Sequence, residues 1–337
     1  MVAGLTRRAV VAGGAAAGWA GRPARAEARE LRISHGYSTG YLPLMVMRDQ
    51  SLIEKHAARL GLGTPQVSWQ ITDGGNNIND AMLAGSLDIA ATGIPGFLVL
   101  RDRTLGKRQE LVGISSLSFG ALWLNTINPR LRSLADYGPG DRIAVPGIKT
   151  SFAAVVLQMA VAKQFGIENY ARLDSLTVGM PHPDAYAAMM SGRTEITSHL
   201  ASPPFSYQEV KNPAVFRVMN TAETVGKLSI LMVMTQRYFA AANPGLMAAF
   251  VAAQDEANAF IAAQPEAAAA AYGRVARLNV PHDQLMEVLQ GGEEGFSTVP
   301  NGSLTYATFL AQGGIVKSRV GSWQELFLSN LHDRAGS

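Results

Sequence analysis

Cysteine is absent from all 337 residues. That excludes disulfide frameworks, zinc ribbons, iron–sulfur centres, thiol nucleophiles and a lipid-anchored N-terminal cysteine together. Charged side chains are scarce at 16% and aromatic ones at 7%, against 47% hydrophobic residues, so neither disorder nor a collagen-like chain fits. Long apolar runs are missing too, and none approaches the ~20 residues a spanning helix needs. At ~100–200 residues per domain, the length gives room for two domains or one two-lobed body. There is no basic run in the body of the chain. Residues 1–26 hold Arg7, Arg8, Arg22 and Arg25 and no acid; without them the 29 basic residues become 25 against 26 acidic, and the net charge falls from +3 to −1. That balance excludes nucleic acid as a partner.

Those 26 residues read as an export signal. Thr6-Arg7-Arg8 is followed by an Ala- and Gly-rich stretch, then by Arg22-Pro23-Ala24-Arg25-Ala26 with small residues before the cut. The arginine pair resembles a twin-arginine signal, although Val10 and Val11 replace its usual Phe-Leu. Gly13, Gly14, Gly18 and Gly21 argue against an ordinary first helix, since each would cost about 1 kcal/mol. With no lipid anchor, the expectation is a soluble exported protein in a periplasm, with no direct membrane insertion.

The body contains an internal echo. Arg32-Ile33-Ser34 runs into Gly36-Tyr37-Ser38-Thr39 and an apolar stretch; Arg142-Ile143-Ala144-Val145 runs into Gly147-Ile148-Lys149-Thr150-Ser151 and another. The period-2 strand Val67–Ile71 has its counterpart 107 residues later at Leu176–Val178. Each strand ends in a polar or Gly/Pro loop, Thr72–Asn76 and Gly179–Pro183. Each loop opens a helix, N-capped by Asn76 or Asn77 and by Asp184, and each helix stops at a glycine, Gly85 and Gly192. Two βαβαβ halves follow, with parallel strands and right-handed crossovers. Ligands of such sheets sit beyond the strand carboxyl ends. Two lobes facing each other there would enclose one cleft.

The last hundred residues read as helical. Asn243-Pro244 starts one helix, with Leu246, Phe250, Ala253, Ala257, Phe260 and Ile261 on one face, and Pro265 starts the next. Ser322-Trp323-Gln324-Glu325 is a capping box for a last helix, Trp323 to Leu331. Two extended stretches, Ala121–Asn125 and Leu228–Thr235, are suited to a double-strand hinge. The expected division is 27–118 with 232–337 in one lobe and 119–231 in the other.

Gly36-Tyr37, Leu42-Pro43, Gly74-Gly75, Ala84–Ile89 and Thr92–Pro95 in one half, with Gly140–Pro146, Lys149-Thr150-Ser151 and Ser191-Gly192 in the other, stand in a specific order and spacing. Together they resemble the periplasmic substrate-binding proteins of nitrate/sulfonate/taurine-type ABC importers, relatives of the thiamine-precursor (NMT1-like) proteins, over roughly Ile33 to Thr235. The resemblance implies an α/β, type II periplasmic-binding-protein fold that closes on a small ligand. It implies an ABC permease with its ATPase as partner, a small anion as ligand, a monomer, no cofactor and no metal. The cysteine-rich signature of the pyrimidine-synthesising relatives is absent, so their enzymology is not carried over.

The site candidates follow from the loops. Lys149, Thr150 and Ser151 precede a helix whose free N–H groups and dipole favour an anion, with the Lys149 charge added. Gly74, Gly75 and Asn76 let a ligand approach the backbone and offer an amide. Thr92 and His199 are taken to stand at matching strand ends, and His182 lies in a Pro-His-Pro turn. Tyr37, Ser116 and Ser118 complete the set as polar groups near the strand ends. His35, His56, His282 and His332 read as structural or surface, Met189, Met190, Met232 and Met234 as core. Asp88 and Glu195 read as turn formers.

Catalytic signatures are missing: G-x-S-x-G, G-x-x-x-x-G-K-[ST], H-E-x-x-H, and G-x-G-x-x-G after a strand. The expectation is therefore a carrier and not an enzyme. An enzyme on the same fold and a ligand-presenting module for a sensor are the competing classes.

Overall fold

A computed structural model describes Met1, residues 27–72 and residues 75–337, with the side chains of residues 75 and 76 left out. The predicted leader, apart from Met1, and Gly74 lie outside the described residues, as do the side chains of Gly75 and Asn76.

Eleven strands form two sheets among the described residues. They are β1 (Glu30–His35), β2 (Gln66–Ile71), β3 (Ile89–Gly93), β4 (Leu111–Gly120), β5 (Trp123–Thr126), β6 (Ile143–Val145), β7 (Thr177–Gly179), β8 (Ser198–Ala201), β9 (Phe216–Asn220), β10 (Leu228–Gln236) and β11 (Gly295–Phe296). The first sheet has the order β11-β4-β10-β3-β1-β2 and the second β7-β6-β8-β5-β9.

The duplicated half is visible in this order. β1 pairs in parallel with β2 and β3, and β6 pairs in parallel with β7 and β8. In both sheets the founding strand is central and the later two flank it. β3, buried on both faces, is a continuous run of small and apolar residues; β2, at the sheet edge, alternates. The helix Gly75–Leu83 ends in a Schellman motif. Gly85 at φ +69° donates to Met82, and Ser86 donates back to Ala81. Gly192 at φ +61° ends the helix His182–Ser191 in the left-handed region as well.

Two helix starts differ from expectation. The first helix begins at Gly75, so Asn76 and Asn77 lie inside it and not before it. The second begins at His182 after Pro181, and Asp184 sits in its first turn. Pro183 decides the latter: with no N–H to donate, it fits where helix N–H groups are unpaired.

The chain passes from the first sheet to the second between β4 and β5, and returns between β9 and β10. The two connections are tied together. Leu122 N–H donates to Thr221 Oγ1 at 2.8 Å, and Thr221 N–H donates to the Leu122 carbonyl at 2.9 Å. β10 lies wholly in the first sheet, antiparallel to β3 and β4, so the return precedes Leu228 and does not run through Leu228–Thr235.

Helices Pro244–Ala263 and Pro265–Ala276 start where expected and pack on helices Leu42–Asp49 and Leu52–Arg59 beside the first sheet. Leu246, Phe250, Ala253, Ala257 and Ile261 are buried, and Phe260 is half-buried. The capping box at Ser322 forms, but only two short 3-10 turns follow, Trp323–Glu325 and Ser329–Leu331. The reason is competition for backbone groups. Gly113 N–H on β4 donates to the Leu326 carbonyl and Leu328 N–H donates to the Gly113 carbonyl, which holds this stretch extended beside the sheet.

Candidate functional site

The carboxyl ends of the parallel strands in both sheets converge on one small cavity of about 50 Å³. The first lobe contributes Ser38, Gly40 and Tyr41 after β1, Thr92 and Gly93 at the end of β3, and Ser118 on β4. The second contributes Ser151 and Phe152 at a helix start, His182, and Ser202 and Pro203 after β8. Glu294, beside β11, closes one side.

The lobes touch around this cavity. Thr39 N–H donates to the Pro203 carbonyl at 3.0 Å across the cleft. Thr39 Oγ1 donates to Glu294 Oε2 at 2.5 Å. Gly93 meets the start of helix Phe152–Phe165 so closely that a Cβ there would lie 2.7 Å from Phe152 Cβ and 3.0 Å from its backbone nitrogen. Only glycine permits that approach.

The polar groups of the wall differ in what holds them. Ser151 is the N-cap of its helix and accepts from Ala154 N–H at 3.1 Å. Ser118 Oγ is buried, and among the described residues no protein group hydrogen-bonds it. A buried hydroxyl left so calls for a water or a ligand. Burial pushes the Glu294 carboxyl up to about 7, opposed by the Thr39 hydrogen bond.

His182 is the end of a buried chain that lines the cavity. Its Nδ1 lies 2.8 Å from His199 Nε2. His199 Nδ1 lies 2.6 Å from Glu209 Oε1, both side chains being fully buried. Glu209 Oε2 accepts from Asn125 Nδ2 at 2.8 Å, and the same amide group donates to the Ser206 carbonyl. Phe205 stacks on the His182 ring at 5.8 Å. Burial, and then the neighbouring His199, hold the His182 pKa well below the usual histidine value.

Of the predicted site residues, Thr92, Ser118, Ser151 and His182 come together at the cavity. His199 does not reach the wall. Strand pairing shows why: Ile33 faces Ile89 and Ile143 faces Ser198, so His199 matches Ala90 and not Thr92. It therefore sits inside β8, not at its end; the same register matches Thr92 to Ala201, and it is the next residue, Ser202, that lines the cavity. Lys149 is exposed at φ +64° and does not line the cavity; its charge acts on Asp174. Thr150 stands beside it, its hydroxyl 3.4 Å from the Ile148 carbonyl. Ser116 is a core residue whose hydroxyl donates to Ser229 Oγ at 2.9 Å. Tyr37 contributes its carbonyl to the Tyr272 hydroxyl. No lysine or arginine lines the cavity among the described residues. Nor do the described residues hold a metal-ligating cluster.

Glu209 and Glu294 escaped the sequence reading. Glu209 sits on the short helix Phe205–Val210, which has no catalytic or ligand motif. Glu294 follows the Gly291-Gly292 turn far down the chain, and only the pairing of β11 with β4 brings it to the cleft. The other histidines are structural. His35 is buried, His56 pairs with Glu256, His282 with Glu266, and His332 bonds the Phe327 carbonyl. Asp88 and Glu195 pair with Arg32 and Arg142.

Two sheets, tied by a double connection and facing each other across a cleft at their strand ends, define the periplasmic-binding-protein fold. The NMT1-like family model matches residues 24–276, and the chain belongs to that family. The alkanesulfonate-binding protein SsuA of Xanthomonas axonopodis pv. citri, bound to MOPS, is similar in structure with a TM-score of 0.68 at 18% identity, over 88% of this chain and 96% of that one. The periplasmic aliphatic sulphonate binding protein SsuA of Escherichia coli is similar at 0.64 and 19%, over 90% and 99%. The periplasmic nitrate-binding protein NrtA of Synechocystis PCC 6803 is similar at 0.65 and 14%, over 89% and 84%. No curated protein sequence matches the chain. Fold and family together support a solute-binding role.

Proposed function

We propose that this protein captures one small polar solute between its lobes in the periplasm and hands it, lobes closed, to the permease of an ABC importer. The observation that carries this is Ser118: a buried hydroxyl with no hydrogen-bond partner among the described residues, on the wall of a cavity to which both lobes contribute. The supporting frame is the tied pair of connections at Leu122 and Thr221, which lets the lobes part without unfolding either sheet. The leader at residues 1–26, removed before Glu27, supplies the address. No helix among the described residues is long and apolar enough to cross a membrane.

A small anion was the solute class expected from the sequence. Its cationic anchor, Lys149, is turned to solvent, so the charge-pairing part of that reading is withdrawn. What remains for a polar solute is hydroxyls, a neutral imidazole and the N–H groups at the start of helix Phe152–Phe165. The test is a thermal-shift screen of the mature protein against small polar metabolites. A solute at 100 times its Kd adds about 2.7 kcal/mol. Stabilisation by one class, lost in Ser118→Leu, is expected; a flat screen, with turnover of a metabolite instead, would favour an enzyme.

A further inference from the structure

Among the described residues, Glu294 is the only aspartate, glutamate, lysine or arginine on the cavity wall. Its neighbour Glu293 is turned to the second sheet, where Trp123 Nε1 donates to one oxygen at 3.0 Å and Asn220 Nδ2 lies 3.5 Å from the other. Glu294 has a single donor, Thr39 Oγ1, on its Oε2, and no basic side chain among the described residues offsets its charge. Burial therefore lifts this carboxyl to about 7. A cation brought to such a group is strongly attracted, since little solvent screens the pair. Gly40 leaves the approach open. A Cβ on Gly40 would stand 3.4 Å from Glu294 Oε1 and 3.0 Å from Ser118 Oγ. The second carboxyl oxygen and the buried, unpartnered hydroxyl thus flank one patch of bare backbone on the wall.

We propose that Glu294 Oε1 and Ser118 Oγ form an ammonium subsite, so that the captured solute carries a protonated amine. The proposal rests on the solute-capture reading above. The two sides match in charge and in hydrogen bonding. An ammonium group brings one positive charge and three N–H donors; an ionised carboxylate only accepts, and a serine hydroxyl can turn to accept. An acid group on the solute would meet the Glu294 carboxyl, and like charges so close disfavour each other. No basic side chain on the wall counters that repulsion among the described residues. Thr39 ties the subsite to the closed lobes: its hydroxyl holds Glu294 Oε2, and its N–H donates to the Pro203 carbonyl across the cleft.

Ethanolamine, ethylene glycol and glycolate share a two-carbon frame with one hydroxyl and differ in charge: positive, none and negative. Thermal-shift titrations of the mature protein at pH 8 and matched ionic strength should rank them in that order. The ethanolamine midpoint should lie roughly tenfold below that of ethylene glycol. Glu294→Gln keeps the shape and removes the charge, and should cut that advantage to less than about twofold. Gly40→Ala keeps the charge and fills the approach; it should raise the ethanolamine midpoint about tenfold, and it is the second variant should the first fail to fold. A merely structural Glu294 would alter the melting temperature of the empty protein and leave the ranking alone. Equal responses to the three probes, flat ones included, or an ethanolamine preference that survives both substitutions, overturns the proposal. If another solute still stabilises the protein in that case, the capture reading stands and only the amine subsite is lost.

Discussion

The two halves share one βαβαβ plan and use its strand ends differently. In the first, the end of β3 carries Thr92 and Gly93, and the cleft is met by hydroxyls and by backbone held close. In the second, the cleft is met by His182 at the start of the helix after β7, and its partners run inward through His199 on β8 to Glu209. Each half also buries a histidine to opposite purpose. His35, closing β1, donates to the Gly36 carbonyl and serves the core. His182, starting a helix, faces the cavity. A duplicated scaffold thus fixes where ligand groups stand, while the residue buried behind each strand end fixes their chemistry.

The comparison can be broken first at the point where the halves touch. Gly93→Val places a side chain against Phe152, backbone included, where overpacking costs about 3 kcal/mol. Solute affinity should fall roughly a hundredfold, at about 1.4 kcal/mol per decade. Small-angle scattering should show a larger radius for the variant, and unchanged scattering and affinity would contradict the close approach.

The next effect separates a buried core group from a buried cavity group by pH. Burial lowers His35 to about 4, so its stability contribution is complete above ~6.5 and is lost as pH falls toward 4, by on the order of 3 kcal/mol. Glu294 runs the other way. Its folded pKa is raised to about 7, so its contribution is present below ~4.5 and lost as pH rises through 7. Glu294→Gln should therefore raise the melting temperature at pH 8, by about 2 kcal/mol of stability, and leave it unchanged near pH 4. Thermal melts across pH 4–8 check both signs.

Ser118→Ala removes one hydrogen bond to the solute and relieves a buried hydroxyl in the empty protein. Affinity should fall about fivefold while the unliganded protein becomes no less stable. Lys149→Met should change affinity by less than about twofold, since an exposed charge outside the cavity is screened by solvent. Calorimetry that found a large loss for Lys149→Met would restore the anion pairing.

Much of the scaffold was legible because it repeats. Parallel strands, glycine helix stops and the Pro244 and Pro265 helix starts follow from local rules. The register did not. A spacing of 107 residues found the counterpart of Val67–Ile71 one residue off, since pairing matches Trp69 to Thr177, and it placed His199 opposite Thr92, whereas pairing places it opposite Ala90. That two-residue slip turned an internal strand residue into an apparent cleft residue and hid Ser202. Lys149 looked like an anion site because a lysine before a helix often is one; in the fold it is exposed and does not line the cavity. Glu209 and Glu294 reach the site through tertiary pairing alone, which no local pattern encodes. The capping box at Ser322 was read correctly as a cap and wrongly as a helix, since the sheet edge at Gly113 competes for the same backbone.

The central claim is that one solute is held between the two lobes. Native mass spectrometry of the mature protein, purified without denaturant and compared with Ser118→Leu, tests it most directly. The account predicts a single small solute at one per chain, absent from the variant although the variant is folded. The same solute retained equally by both proteins would contradict it.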